Sequence, residues 1–117
     1  MKVYAISKFA KEILEILDNL QRALESSKNE FENKNHDLFE GVSMTQNILM
    51  KILSSNGVKN IEALNKIFDP NLHEAIAEIE DETKASGTIV FVAQEGYSIG
   101  DRVLRAARVG IVKLKKN

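Results

Sequence analysis

Apolar side chains recur along residues 1–25 at the spacing of an amphipathic helix. Steps of three and four residues connect one line: Ile6, Phe9, Ile13, Ile16, Leu20 and Ala23. A second line, at seven-residue spacing, runs beside it: Val3, Ala10, Leu17 and Leu24. No proline or glycine interrupts the pattern, which predicts a rod of about 37 Å at 1.5 Å per residue. Its apolar stripe is too wide for the seam of a two-stranded coiled coil and is typical of a four-helix bundle.

A second, shorter helix is predicted from Asp37 to Asn56, after a polar loop over residues 26–37. Asp37 and Glu40 resemble a capping box at its start, and Gly57 suits the left-handed turn that ends a helix. The alternation of four and three residues is continued by Leu38, Val42, Thr45, Leu49 and Ile52.

After Gly57 the apolar period changes towards two, as in strands. Residues 73–80 alternate, residues 88–94 are β-branched and aromatic, and residues 102–114 read as one strand interrupted by Gly110. Turn signals separate these segments: Asp69-Pro70-Asn71, Ser86-Gly87, Glu95-Gly96 and Gly100-Asp101. The sequence therefore predicts an α+β chain, with a helical region over residues 1–57 and a small antiparallel all-β domain over residues 58–117.

Two helices of this length cannot bury two apolar lines on each other alone. A second copy of the chain is the simplest source of the missing surface, and it would complete a four-helix bundle across a two-fold axis. We therefore predict an obligate homodimer. The residues expected at its interface are Ile6, Phe9, Ile13, Ile16, Leu17, Leu20, Leu24, Val42, Leu49 and Ile52.

Composition and charge narrow the classes of function. The net charge of −1 argues against a general binder of nucleic acid, and the absence of cysteine excludes disulfides and thiolate metal sites. No apolar run reaches the roughly 18 to 20 residues that span a bilayer. Charge is nevertheless uneven, since residues 74–82 carry five acids and no base, while residues 101–117 carry six bases and one acid. Neighbouring strands of opposite charge are the structural explanation.

Enzymatic and cofactor-binding functions find little support in the sequence. His36 and His73 have no metal-ligand spacing with another His, Asp or Glu, and neither a Walker motif nor GxGxxG occurs. The acids at residues 78–82 are more typical of a solvated strand edge than of an acid/base pair or cation site. We therefore predict no catalytic residue, no metal and no cofactor.

Three arginines three residues apart raise the possibility of an anion site or a protein-binding surface. On one regular strand Arg102 and Arg108 would share a face and Arg105 would lie opposite. Pairing with the acidic segment is the simplest explanation for each arginine taken singly. A nucleic-acid site is weakly supported, because Tyr97 is the only nearby aromatic residue. A protein-recognition surface remains, since arginine among apolar side chains is a typical anchor.

Two motifs of the β-half resemble the GrpE family, the nucleotide-exchange factors of DnaK-type chaperones. They are "FDPNLHEAI" at residues 68–76 and "GYSIGDRVLRAARVGIVK" at residues 96–113. Upstream, "KFAKEILEILDNLQRAL" and "EGVSMTQNILMKILSSNGV" resemble the long helix and the bundle helix of that family. The resemblance implies paired long helices, a four-helix bundle and two projecting β-domains. It also implies that one β-domain binds the ATPase domain of the chaperone, holds the nucleotide cleft open and releases ADP.

The resemblance also implies which residues contact the chaperone. These are Arg102 in "GDRVLR", Phe68 and Pro70 in the DP turn, and the apolar Ala93 and Ile111. Taken alone, a phenylalanine before a turn is more often a core residue, and Tyr97 is expected in the core as well. The family often has proline where this chain has Ser86 and Ala106, a difference that affects local stiffness more than function.

Some questions stay open at the level of sequence. Members of the family continue their paired helix upstream of "KFAKEIL", so the chain is expected to be either truncated or unusually short. The family works in the bacterial cytoplasm, which we expect here, or in the mitochondrial matrix.

Two other functions compete with nucleotide exchange. One is a nucleic-acid-binding dimer, which requires steeply salt-dependent binding. The other is a structural coiled-coil adaptor, which leaves the β-domain motifs unexplained.

Overall fold

Two helices and six strands are formed by residues 3–26 and 36–114, the part of the chain that the computed structural model describes. The helices are α1, Val3–Ser26, and α2, His36–Ser55. Both predicted helices are confirmed, with ends within two residues of the prediction. The chain divides into two compact units, Met1–Val58 and Lys59–Asn117.

The ends of α2 follow from local side-chain and backbone chemistry. The helix starts at His36, one residue before the predicted cap, so Asp37 lies inside the first turn. At this position the negative charge of its carboxylate still interacts favourably with the positive end of the helix dipole. At the other end Gly57 has a φ of 86°, and its N–H donates to the carbonyl of Ser54 at 3.0 Å, so glycine ends α2 as predicted. Most of the predicted loop, residues 27–35, lies outside the described residues.

The two helices pack through a line of α1 that the sequence pattern revealed only in part. Its buried members are Ala10, Leu14, Leu17 and Leu24. Leu14 belonged to neither predicted line, but with Gln21 it completes an alternation of four and three residues from Ala10 to Leu24. The amide of Gln46 on α2 donates to the side-chain oxygen of the exposed Gln21, which links the two helices at the edge of their contact.

The other apolar line of α1 is only partly covered within the chain, since Ile6, Ile13 and Leu20 are half-buried. Phe9 is 65% exposed and Ile16 is 52% exposed. On α2 the side chains of Leu38, Met44, Ile48 and Ile52 are also more than half exposed. The helical unit therefore presents two apolar faces that its own residues leave in solvent. No helix within residues 3–26 and 36–114 is long and apolar enough to cross a membrane.

Replacing Gly41 with alanine is expected to stabilise the helical unit by about 1 kcal/mol. Gly41 is exposed inside α2, and a Cβ placed on it meets nothing within 4 Å. Alanine adds helix propensity without a clash, so the denaturant midpoint measured by circular dichroism should rise. A fall in that midpoint would contradict the expectation and would indicate that a neighbouring chain packs against this position.

The second half of the chain forms two three-stranded sheets. The strands are β1 Val58–Ile61, β2 His73–Ile79, β3 Ile89–Gln94, β4 Gly96–Ile99, β5 Arg102–Arg105 and β6 Ala107–Val112. One sheet has the order β1-β4-β5 and the other β2-β6-β3. The hairpin β4–β5 and the pair β3–β6 are antiparallel, as predicted.

Two expectations about the β-half are wrong. β2 and β6 pair in parallel, so the unit is mixed rather than purely antiparallel. An alternating pattern does not define strand direction, and the long connection through three other strands lets β6 run alongside β2. Residues 102–114 are not one strand either, because the chain leaves the first sheet at Ala106 and enters the second as β6.

The core of the β-unit lies on one face of the sheet β2-β6-β3. It consists of Ala63, Ile89, Ala107, Val109 and Ile111, with Phe68 and Val92 packed against it. Gly96 of β4 crosses close to the start of β6, where a Cβ on residue 96 would lie 2.5 Å from the backbone nitrogen of Ala107. Only glycine permits that approach, which joins the hairpin β4–β5 to the core strand.

The acidic and basic segments lie side by side, as the charge pattern predicted. Glu74 on β2 pairs with Arg108 on β6 at 3.8 Å, and Glu80 pairs with Lys113 at 3.6 Å. All four side chains are well exposed, so each pair contributes little to stability, on the order of 0 to 1 kcal/mol. Their arrangement accounts for the uneven charge without requiring an anion site.

Candidate partner-binding site

A tight turn that begins at Asp69 presents the first predicted contact residue, Pro70. The carbonyl of Asp69 accepts hydrogen bonds from the N–H groups of Leu72 at 2.9 Å and His73 at 2.8 Å. Its Oδ1 accepts from the N–H of Asn71 at 2.9 Å. Proline fixes φ at the first corner of such a turn. Pro70 is exposed, and the backbone that carries it has few other conformations available.

Phe68 supports this turn from the core side. Its partly buried ring packs against the core, and its N–H donates to the carbonyl of Gly87 at 2.9 Å. The ring centroid lies 6.0 Å from that of His73, with the planes tilted by 39°. The general expectation that a phenylalanine before a turn belongs to the core is therefore confirmed, and only its exposed part is available to a partner.

His73 closes the turn with its side chain as well as its backbone. Only 5% of its surface is exposed, and its Nδ1 accepts a hydrogen bond from the N–H of Asp69 at 2.9 Å. Its Nε2 is buried with no hydrogen-bond partner among the described residues. Burial lowers the pKa of His73, and the nearby Asp69 carboxylate acts in the opposite direction. The sequence interpretation placed His73 at the junction of a turn and a strand but did not assign it this hydrogen bond.

The three arginines have different surroundings. Arg105 donates from Nε and Nη2 to the carbonyl of Glu95, at 3.0 and 2.8 Å, and its guanidinium lies 5.7 Å from the ring centre of Tyr97. Tyr97 is buried, as predicted. Arg105 thus holds the hairpin β4–β5 together, whereas Arg108 pairs with Glu74.

Arg102 occupies the first position of β5, immediately after the turn at Gly100 and Asp101. Gly100 has a φ of 58°, the left-handed conformation that glycine adopts readily. Arg102 is exposed and lies opposite Ile99 in the hairpin. Its position at the tip of the hairpin β4–β5 suits contact with another molecule.

The two predicted apolar contacts differ in accessibility. Ala93 is exposed, and it is the extra residue of a bulge between Val92 and Gln94 at the end of β3. Ile111 is only 1% exposed and lies inside the core. The expectation that Ile111 offers an apolar side chain to a partner is wrong for this structure, because alternate residues of β6 face the core.

Some of the predicted residues come together and one lies apart. The turn at Pro70 and the bulge at Ala93 lie at the same end of one sheet, where His73 pairs with Ala107 and Gln94 pairs with Arg108. Their strands are separated only by β6, a spacing of about 10 Å. Arg102 lies on the other sheet, at the tip of the hairpin β4–β5. Its distance from Arg105 along β5 is about 10 Å.

Groups that would serve a metal-dependent reaction do not cluster in the part of the chain that the structure describes. There, no three His, Asp or Glu side chains are placed to hold a metal ion. What the β-unit offers is an exposed proline on a rigid turn, an exposed arginine on a hairpin tip and a small apolar bulge. This combination suits recognition of another protein.

Comparison with known proteins agrees with the resemblance seen in the motifs. The model of the GrpE family matches residues 1–113. Protein GrpE of Afipia carboxidovorans is 46% identical over 116 residues, which cover 96% of this chain and 58% of that protein. Protein GrpE of Beijerinckia indica is 44% identical over 114 residues, covering 94% and 57%. A mitochondrial GrpE homolog of Debaryomyces hansenii is 43% identical over 119 residues, covering 97% and 48%.

The match has a defined extent. The chain spans about half the length of the curated relatives it matches. The family consists of co-chaperones rather than enzymes, in agreement with the prediction that the chain carries no catalytic residue. With a family model matched over nearly its whole length, and relatives above 40% identity, the chain belongs to the GrpE family.

Proposed function

We propose that this chain is a nucleotide-exchange factor, which binds the ATPase domain of a DnaK-type chaperone, opens its nucleotide cleft and promotes release of ADP. The observation that carries the proposal is the exposure of Pro70 and Arg102 on two rigid turns of a β-unit that matches the GrpE family. Arg102 would supply a charge-assisted hydrogen bond to a carboxylate of the chaperone. Pro70 and Ala93 would supply apolar contacts, and Phe68 would hold the turn in place.

Exchange of this kind requires differential binding and no bond chemistry. A thousandfold acceleration of ADP loss needs about 4 kcal/mol of preference for the open cleft. One Arg–carboxylate contact contributes roughly 1.5 to 3 kcal/mol, and a few buried apolar contacts supply the remainder. By linkage, nucleotide that closes the cleft must weaken the equilibrium affinity of the exchange factor by the same ratio by which the factor weakens the equilibrium affinity for nucleotide.

The direct test is stopped-flow release of labelled ADP from a DnaK-type chaperone, with and without this protein. We expect release to accelerate with protein concentration and to saturate. Release rates that stay unchanged at concentrations where binding is demonstrated would contradict the proposal. Tight, steeply salt-dependent binding to DNA or RNA would instead favour the nucleic-acid-binding alternative.

We also propose that the helical unit forms a homodimeric four-helix bundle. The exposed Phe9 and Ile16 on α1, and the exposed Ile48 and Ile52 on α2, are the apolar surface that a second copy would cover. Leu17 and Leu24 are already buried within the chain, so they would stabilise the interior of each helix pair rather than the seam between copies.

A change of Ile16 to aspartate should convert the dimer into a monomer at micromolar concentration, as measured by light scattering. Each dimer would bury two carboxylates in an apolar seam, which costs several kcal/mol per ion. Asn19→Asp on the same helix is the matched control, since Asn19 is exposed and already accepts from Arg22. A wild-type chain that scatters as a monomer would contradict the bundle.

The compartment we propose is the bacterial cytoplasm, with the mitochondrial matrix as the alternative. Relatives named as bacterial GrpE proteins and as mitochondrial homologs match the chain at similar identity. The identity of the cognate chaperone would decide between the two compartments.

A further inference from the structure

His73 combines two features that make its protonation state matter. Its Nδ1 accepts the hydrogen of the Asp69 N–H group, so the neutral imidazole must carry its own hydrogen on Nε2. The ring is almost completely buried, between the turn, the ring of Phe68 and the first residue of β6. Only one of the three states of the side chain, the Nε2–H neutral form, satisfies this hydrogen bond.

Protonation would place a second hydrogen on Nδ1, pointing at the Asp69 N–H only 2.9 Å away. Two donors then face each other, and a buried positive charge is added. The hydrogen bond is lost and the contact becomes repulsive. The simplest relief is movement of the Asp69 backbone, which opens the turn that presents Pro70.

The charged groups near His73 do not remove this conflict. Asp69 lies on the turn itself, and its Oδ1 already accepts from the N–H of Asn71. Glu74 on β2 and Arg108 on β6 pair with each other. Because side chains alternate along a strand, Glu74 and Arg108 lie on the opposite face of the sheet from His73.

We propose that His73 is a positioning residue whose neutral imidazole clamps the Asp69–Pro70 turn, so that acidification releases the turn and weakens the hold of the β-unit on its chaperone. This inference rests on the proposed function, because the clamp matters to exchange only if the turn touches the chaperone. The clamp itself is a property of the β-unit alone and can be measured without the chaperone.

The direction of the pH effect follows from burial of the imidazole. Burial lowers the pKa of His73 below its ordinary value of 6.5. As pH falls through 6.5 the unfolded chain takes up its proton first, so folding stability declines until the folded-state pKa is reached and then levels off. The clamp is therefore closed at neutral pH and opens only below pH 6.5, as the pH approaches the lowered folded-state pKa.

The experiment measures binding of the dimer to the nucleotide-free ATPase domain from about pH 7.5 down to about pH 4.5, a range that extends well below the ordinary pKa of histidine. Relative to His73→Asn, the wild-type affinity should fall as pH drops below 6.5, by roughly tenfold once His73 is protonated, the equivalent of one lost hydrogen bond. His73→Asn keeps an acceptor at the same distance from the backbone but does not titrate, so its affinity should stay flat. His73→Phe keeps the ring without the acceptor and should bind several-fold more weakly at every pH.

Comparison with His73→Asn at each pH cancels any titration of the chaperone itself. If wild type and His73→Asn lose affinity in parallel, the clamp is refuted while the proposed function stands. Equal affinity of His73→Phe and wild type at neutral pH would refute the clamp as well.

A second readout keeps the clamp testable if a variant fails to fold or if no chaperone binds. Nitrogen NMR of the wild-type β-unit within the intact chain reports the tautomer of His73 and the amides of Asp69 and of residues 71–73. We expect an unprotonated Nδ1 at neutral pH, and shifts of the turn amides that follow the protonation of His73. Turn amides that do not respond to that protonation would overturn the clamp, whether or not the chaperone binds.

Discussion

Replacing Gly96 with alanine should lower the free energy of unfolding of the β-unit by about 1 to 3 kcal/mol. A Cβ on residue 96 would lie 2.5 Å from the nitrogen and 2.9 Å from the Cα of Ala107. Both are backbone atoms of a core strand, so no side chain can rotate away and β4 must move from β6. For a unit of the size of Lys59–Asn117, the melting temperature should fall by roughly 8 to 24 °C, measured by calorimetry.

Gly41→Ala is the matched control, because it makes the same chemical change in open space and should stabilise the helical unit. If alanine lowers the free energy of unfolding at position 96 and raises it at position 41, the loss at position 96 comes from the close approach of two backbones and not from the flexibility of glycine. An unchanged transition of the β-unit in Gly96→Ala would mean that β4 and β6 are not held together at this point.

The helices could be predicted from the sequence because their contacts recur at a short, regular spacing. The exception is instructive, since the line of α1 that packs on α2 includes Gln21, a polar residue that interrupts the apolar pattern. Without that position Leu14 appeared to belong to no line. The sequence alone does not show that the side chain of Gln21 bonds to Gln46 on the other helix.

The strand arrangement depended on contacts between distant residues, which alternation does not reveal. The break at Ala106 divides two β-branched, arginine-containing segments that look continuous in sequence but belong to different sheets. Ile111 illustrates the consequence for the candidate site. Its place in a strand was predictable, but the side of the strand that faces the core depends on which sheet β6 joins and in which direction.

The exposure of Pro70 and Arg102 was predictable because turn residues reveal themselves locally, whereas their role as contact residues was implied by the resemblance to the family. Pro70 lies in a DP turn and Arg102 follows Gly100-Asp101, and turns lie at surfaces. His73 was missed, although its spacing of four residues from Asp69 is a usable signal. A histidine four residues after an aspartate that starts a turn can bond back to that residue's N–H.

Replacing Arg102 with alanine should slow chaperone ADP release by roughly ten- to a hundredfold at subsaturating protein concentration. This is the loss of one charge-assisted contact of about 1.5 to 3 kcal/mol. Arg102 is exposed at the end of a hairpin that Arg105 holds together, so the melting temperature should be nearly unchanged. Stopped-flow ADP release and calorimetry on the same preparations measure both quantities.

Arg108→Ala separates this specific contact from a general effect of charge. It removes the same positive charge from the same β-unit, but Arg108 pairs with Glu74 on a sheet face instead of occupying the hairpin tip. Release should therefore stay within about twofold of wild type, since an exposed pair contributes little. Equal slowing by both variants would indicate long-range electrostatic steering, which raising the salt concentration would abolish. Wild-type release rates with Arg102→Ala would remove Arg102 from the site and leave the turn at Pro70 as the main point of contact.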